Sequence, residues 1–200
     1  MLFIFQHLNE FQRADEVLDA LEELEEDTQK ERVYLRVLEI INDPIISFEK
    51  KSEELLQNLK DNHQLESIVI NFLITFNKEL FWKNIELFDL MHVIDLLWYL
   101  DFDDIEWDKV NQNLVLEDIY TAKGYIEKSK KSENFELNVL IALKNSTTPS
   151  DLNLNFEFIC GKCKKSHPIY ESRCPHCSDI LSFTVEPKLG KATLSLASLV

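Results

Sequence analysis

Two hundred residues, 45% hydrophobic and 28% charged, suit one domain with a small module, or two small domains, and give a globular balance rather than a disordered or fibrous one. A net charge of −15 repels nucleic-acid phosphates and anionic membrane surfaces over the general area of such a chain. Gly124 is the one glycine before residue 156, so left-handed turns are scarce there, which argues against hairpins and Gly-rich phosphate loops and favours helices.

At the start, MLFIF is apolar but short and carries no basic residue, so no signal peptide is read there. RADEVLDALEEL places Ala14, Val17, Leu18, Leu21 and Leu24 on one helical stripe, with acids on the other face. ERVYLRVLEII groups Tyr34, Val37, Leu38 and Ile41, and Val33 and Ile40 widen the apolar arc. Asp43-Pro44 stops that helix, because a residue before proline avoids the α region. Ser47 is a cap for the next helix, which turns Leu55, Leu56 and Leu59 inward. LESIVINFLITF repeats at i, i+3, i+4 and i+7 through Leu65, Ile68, Val69, Phe72, Leu73 and Phe76, and Ile70 and Ile74 give it a second apolar face.

Residues 84–100, apolar almost all round, are expected to form the core helix of the domain, with His92 satisfied inside it. Its acids Glu86, Asp89 and Asp95 and its length rule out a membrane span. A weaker helix follows near 105–113, then amphipathic segments in LEDIYTAKGYIEKS and NFELNVLIALK. The pattern predicts roughly eight or nine helices of about ten to seventeen residues over residues 1–145, with short links that favour antiparallel neighbours. LNEFQRADEVLDALEEL resembles half of a tetratricopeptide repeat, but no clean 34-residue period recurs; a degenerate helix-pair stack and an irregular bundle both fit.

The polar stretch 146–155 reads as a linker. The backbone pattern changes over residues 156–190, where FEFIC and ILSFTVEP alternate like strands, with Pro187 ending the second, and 191–200 form a short tail. All four cysteines lie here, as C-x2-C-x10-C-x2-C through Cys160, Cys163, Cys174 and Cys177. Each C-x2-C turn can point two thiolates at one ion, and the return lets the second turn close a tetrahedron. A unit of roughly thirty residues is too small to fold on a hydrophobic core alone. A structural Zn²⁺ supplies an apparent ~10–16 kcal/mol to such a unit. In a reducing compartment, paired cysteines are metal ligands before they are disulfides, and the chain reads as cytoplasmic. Zinc is expected, with iron as the alternative; His167 and His176 are read as bystanders, and His7 and His63 have no partner at ligand spacing.

From Phe156 onward six basic residues meet four acidic ones, so this segment is +2 and the rest −17, and Lys162, Lys164, Lys165 and Arg173 can offset the −2 of a Zn²⁺ held by four thiolates. Acid pairs such as Asp103-Asp104 and the run Glu22–Asp27 read as solvated surface. No phosphate loop, dinucleotide fingerprint, H-E-x-x-H or G-x-S-x-G occurs, so no enzyme is expected.

Cys160, Cys163, Cys174, Pro175 and Cys177, with the exit FTVEPKLG at 183–190, resemble the C-terminal rubredoxin-type ribbon of the LapB (YciM) family. Lys164 and Ser178 stand where that ribbon usually has glycine. The resemblance implies a mostly α fold: a tetratricopeptide-like antiparallel helix-pair stack followed by a small C-terminal β zinc ribbon. It also implies a non-enzymatic adaptor that works with the membrane quality-control protease FtsH. The plan is similar, too, to the small stator chaperones of polar-flagellate bacteria typified by FlgX, whose clients are motor membrane proteins. The expected partner is therefore a protein client at the inner membrane, not nucleic acid, and the chain has no transmembrane segment of its own. A rubredoxin-like electron carrier is the alternative.

Overall fold

The computed structural model describes residues 2–127, 131–146 and 151–191. The tail after Lys191 and the middle of the linker, 147–150, lie outside the described residues. Local helix signals govern the first part of the chain. In order come α1 (Leu2–His7), α2 (Phe11–Glu22), α3 (Gln29–Asn42), α4 (Phe48–Asp61), α5 (Glu66–Phe76) and α6 (Lys78–Lys83). Four shorter or later helices follow: α7 (Ile94–Trp98), α8 (Trp107–Val110), α9 (Leu114–Lys123) and α10 (Phe135–Lys144). Three strands close the described chain: β1 (Leu152–Cys160), β2 (Ser166–His167) and β3 (Phe183–Lys191). The fold is mostly α with a small C-terminal sheet, and the sheet bears the cysteines.

Packing groups the chain into two compact units. The first holds the residues up to Leu87 together with Cys160–Lys164 and Glu171–Phe183. The second holds Phe88–Ile159, Lys165–Tyr170 and the residues from Thr184 onward. In the first unit each helix packs on the next, from α1 on α2 through α5 on α6. Leu55 and Leu59 of α4 and Val69 and Leu73 of α5 are almost wholly buried. Burying one such side chain contributes about 1.5–3 kcal/mol. Asp43 leaves α3 in extended conformation before Pro44, and the Ser47 hydroxyl accepts from the Lys50 N–H to start α4, as the sequence predicts.

Polar side chains then fix how these helices meet. Arg32 of α3 donates to Asp15, Asp19 and Glu22 of α2 at 2.7, 2.6 and 2.6 Å. The Arg32 guanidinium and then the Thr28 hydroxyl hold the Glu22 carboxyl down to about 2. The run Glu22–Asp27 is therefore not wholly a solvated edge, since its first member clamps α3. Lys51 is buried and donates from Nζ to the Ile41 carbonyl at 2.7 Å, satisfying the negative C-terminal end of α3.

In the second unit α7, α8 and α10 each pack on α9. Phe102, Trp107, Tyr120 and Tyr125 form a ring cluster there. Tyr120 Oη donates to the Leu97 carbonyl at 3.3 Å. The sheet order is β2-β1-β3, and β1 pairs antiparallel with β2 through Phe158–His167 and Ile159–Ser166. The Thr184 hydroxyl donates to the Ile159 carbonyl, and Gly190 lies against Asn155, so β3 also runs antiparallel to β1.

Four expectations need correction. Residues 84–100 are not one core helix: a 3-10 turn at Ile85–Leu87 and turns through 88–93 precede the five-residue α7. Asn84 turns its amide back to the Leu80 carbonyl, and Asp89 accepts from the Met91 N–H, so two short polar side chains compete with the helix backbone. The segment is apolar all round because Ile85 serves the first unit and Val93, Ile94 and Leu97 the second. His92 consequently sits on a turn, 62% exposed, near Asp89 rather than inside a core.

Gly124, at φ 87°, ends α9 in the left-handed conformation, so the helix does not run through it. Pro187 does not end a strand: β3 continues to Lys191. β3 is an edge strand, where a missing N–H costs no ladder bond. Finally, among the described residues only α2, α3, α4, α5, α9 and α10 reach ten residues.

Replacing Arg32 by Gln releases three carboxylates from α3. The variant melts a few degrees lower near neutral pH, a small change because solvent screens these exposed pairs. Glu22 is depressed in the folded state, so its contribution is complete above the unfolded value of about 4.5 and is lost as pH falls toward 2. Thermal melts of both proteins from pH 7 to pH 2 should therefore converge at the acid end.

Candidate metal centre

Two short turns build the site, and they repeat one another. The first runs Cys160–Lys164, leaving β1, and the second Cys174–Ser178. In each, the residue after the second cysteine donates its N–H to the carbonyl of the first: Lys164 to Cys160 and Ser178 to Cys174, both at 2.9 Å. Lys164 and Ser178 take φ of 59° and 62°, the left-handed region that glycine enters freely. The missing glycines therefore do not prevent the knuckles from forming. They make them costlier, by about 1–2 kcal/mol for each non-glycine residue held there.

Gly161 is required for a different reason. Its N–H donates to the Ser182 carbonyl at 2.7 Å, and a Cβ on it would meet that same oxygen at 2.9 Å. The second knuckle is closed by the Cys174 N–H donating to the Asp179 carbonyl at 2.7 Å, and an antiparallel bridge joins Arg173 to Ile180.

The four sulfurs converge. Cys160 Sγ and Cys177 Sγ lie 3.6 Å apart, Cys163 Sγ and Cys174 Sγ 3.7 Å, and all four fall within 4.8 Å of one another. None is in a disulfide. Four sulfurs at about 2.3 Å from a tetrahedral Zn²⁺ sit roughly 3.8 Å apart, so the spacing fits the ion. Cys160 and Cys174 are buried, and Cys163 and Cys177 are partly so.

Electrostatics argue the same way. Burial opposes the Cys160 thiolate. N–H donors from Cys163 and Lys162 and the Ser182 hydroxyl outweigh it, and the pKa falls to about 6. At Cys177 the Asp179 N–H favours the thiolate, but burial and the other three sulfurs push the pKa up to about 12. Four thiolates this close repel unless a cation stands among them. A divalent ion leaves a formal −2. Asp179 is flanked by Lys30 at 3.5 Å and Lys162 at 3.9 Å, which bring positive charge to the second knuckle.

All four cysteines singled out by their spacing come together in this cluster. His176 is exposed, His167 lies in β2 opposite Phe158, and neither belongs to it. His63 lies near Glu66, away from any cysteine, and the His7 side chain lies outside the described residues. Sequence reasoning does not see the helices that hold the second knuckle. Tyr34 Oη and Ser172 Oγ are 2.6 Å apart, Lys30 donates to the Ile180 carbonyl at 3.4 Å, and Arg173 donates to Gln6 Oε1 at 3.1 Å. Lys30 and Tyr34 are one turn apart on α3. Nothing local in the sequence links them to a turn some 140 residues later.

Comparison with family models, with characterised proteins and with solved structures gives no match for this chain.

Chelation should remove the cation that permits the cluster. In amide NMR spectra, peaks from Cys160–Lys164 and Glu171–Phe183 should lose dispersion, and Lys30, Tyr34 and Gln6 should shift with them. Dispersed peaks throughout after chelation would contradict the account. Separately, Lys164→Gly and Ser178→Gly should each stabilise the metal-bound protein by up to about 1 kcal/mol, the left-handed cost less the greater unfolded freedom of glycine. Denaturant unfolding of the zinc-loaded proteins reads this directly.

Proposed function

We propose that this protein is a non-enzymatic adaptor or chaperone, in which the helical first unit engages a protein client and a structural zinc pins the knuckles to α1 and α3. The client class is a membrane protein, flagellar motor stators among them, or a membrane quality-control protease of the FtsH type. The observation that carries this reading is the integration of the cluster. Ser172 and Arg173, which lead into its second knuckle, hydrogen-bond to side chains of α3 and α1, so an ion held there stiffens a helix array rather than a free module. Four cysteines also fill a tetrahedral ion, leaving no position for substrate or water. The packing of each helix on the next from α1 to α6 and the ribbon resemblance at 160–177 and 183–190 support the client class. No helix among the described residues is long and apolar enough to cross a membrane.

Iron is the competing cofactor, because a tetrahedral S₄ site also accepts it, and with it comes the electron-carrier reading. The test is metal analysis of protein purified without added metal, coupled to crosslinking in living cells. The adaptor reading expects one zinc per chain, a colourless protein and one stoichiometric protein partner, with the partner lost in Cys160→Ser/Cys163→Ser. A red protein with reversible one-electron reduction, or a partner retained by the unfolded-knuckle variant, overturns it.

A further inference from the structure

The amphipathic helix α2 has two apolar faces. Its inner face puts Ala14 and Leu18 into a core with Leu35, flanked by Phe11 and Leu21. Its outer face, Val17 and Ala20, together with Leu24 in the turn after it, lines a 390 Å³ groove with Phe5 and Leu21. Leu24 is 73% exposed, although the sequence pattern assigns it to the same stripe as Leu18. The groove has an apolar floor: positions 17, 20 and 21 give i, i+3, i+4 spacing on α2, and Leu24 adds to it from the turn that follows the helix.

The charge around it is one-sided. Five of the six residues Glu22–Asp27 are acidic, and they crowd the C-terminal end of α2, whose last turn carries no basic residue. Carboxylates at the negative end of a helix are unfavourable for the isolated fold. Arg32 engages Glu22, while Glu23, Glu25 and Glu26 stay exposed. The one cation lining the groove, Arg13, already pairs with Glu10 at 2.6 Å and lies over the Phe5 ring. A folding rule is thus broken beside an unfilled apolar surface, which is where function is expected to compensate for lost stability.

We propose that this groove receives a basic amphipathic helix of the protein client: two turns presenting Leu-type side chains to Val17, Ala20 and Leu24, with Lys or Arg facing the run Glu22–Asp27. This rests on the adaptor reading and names the chemistry of its partner. A second copy of the chain is a poor occupant, because two-fold pairing would oppose acidic run to acidic run in a chain of net charge −15. An anionic lipid surface is repelled for the same reason.

The probe is a synthetic amphipathic Leu/Lys helix of about five turns, with a scrambled peptide of equal composition and a Leu/Glu counterpart as controls. Titrated into ¹⁵N-labelled zinc-loaded protein, the Leu/Lys helix should shift Val17, Ala20 and Leu24. Scrambling, or Leu24→Glu in the protein, should weaken binding about tenfold. Raising salt from about 50 to about 300 mM should weaken it several-fold, and the Leu/Glu helix should not bind. Leu24 is exposed, so circular dichroism of the variant should be unchanged, and Ala20→Glu, also at an exposed position, provides a second test. Equal binding of the scrambled peptide, shifts confined to other elements, or sedimentation showing the groove closed by a second copy each overturns the proposal. If the cellular partner binds Leu24→Glu as well as the parent, the groove assignment falls and the adaptor reading stands. If the parent recovers no partner, the adaptor reading falls, and the peptide titration still decides what the groove can hold.

Discussion

Four thiolates cannot share a sphere less than 5 Å across without a cation, and the first unit is arranged around that constraint. The opposite pulls on Cys160 and Cys177 express it: one sulfur gathers N–H and hydroxyl donors that favour charge, and the other is denied charge by its three neighbours. A divalent ion relieves both at once. Once it is bound, the two knuckles become fixed points, and through Ser172, Arg173, Asp179 and Ile180 they tie α1 and α3 to a segment far along the chain. Such distant contacts carry a loop-closure cost that local helix packing does not. The ion offsets this cost where a hydrophobic core of knuckle size could not.

The ion also makes the backbone of the knuckles tolerable. Lys164 and Ser178 in the knuckles, and Leu181 just beyond the second, all have positive φ within an eighteen-residue stretch, and none is glycine. Three residues in that region cost several kcal/mol together, on the order of 1–2 each. A small apolar core could not hold them there, whereas metal–sulfur bonds of structural strength can. The donors explain the choice of conformation: a left-handed residue after the second cysteine returns its own N–H to the carbonyl of the first and completes each turn. The turn geometry is thus the one that brings the four sulfurs together, and glycine would ease it without being its cause.

What could be read from the sequence follows the range of the interaction responsible. Asp43-Pro44, the Ser47 cap, the Leu55/Leu59 stripe and the cysteine spacing are decided within a few residues, and each is legible. The segment 84–100 is not, because its all-round apolarity comes from serving two cores in turn, a property no window of sequence separates from a single buried helix. His92 goes astray with it. Arg32 shows the same limit at shorter range: its three carboxylates lie on another helix, 10, 13 and 17 residues away, and no local pattern links them to it. The grip of Lys30 and Tyr34 on the knuckle is invisible for the same reason, since it exists only after the chain has folded back.

Leu24 carries this logic to the surface. Five apolar residues at helical spacing make a stripe wider than one neighbour can cover, and α2 spends Ala14 and Leu18 on the core while Val17 and Leu24 remain. Stability alone would favour a polar residue at position 24 and a basic one in the last turn of α2. The chain has leucine there, among glutamates of which Arg32 engages only Glu22, while Arg13 pairs with Glu10. An apolar stripe and an acidic helix end each weaken the isolated protein slightly, yet both are matched by one ligand, a helix that is apolar on one side and cationic at its edge. That coincidence gives the groove its chemical identity, and α1 and α3 beside it are tied by hydrogen bonds to the segment that carries the second knuckle.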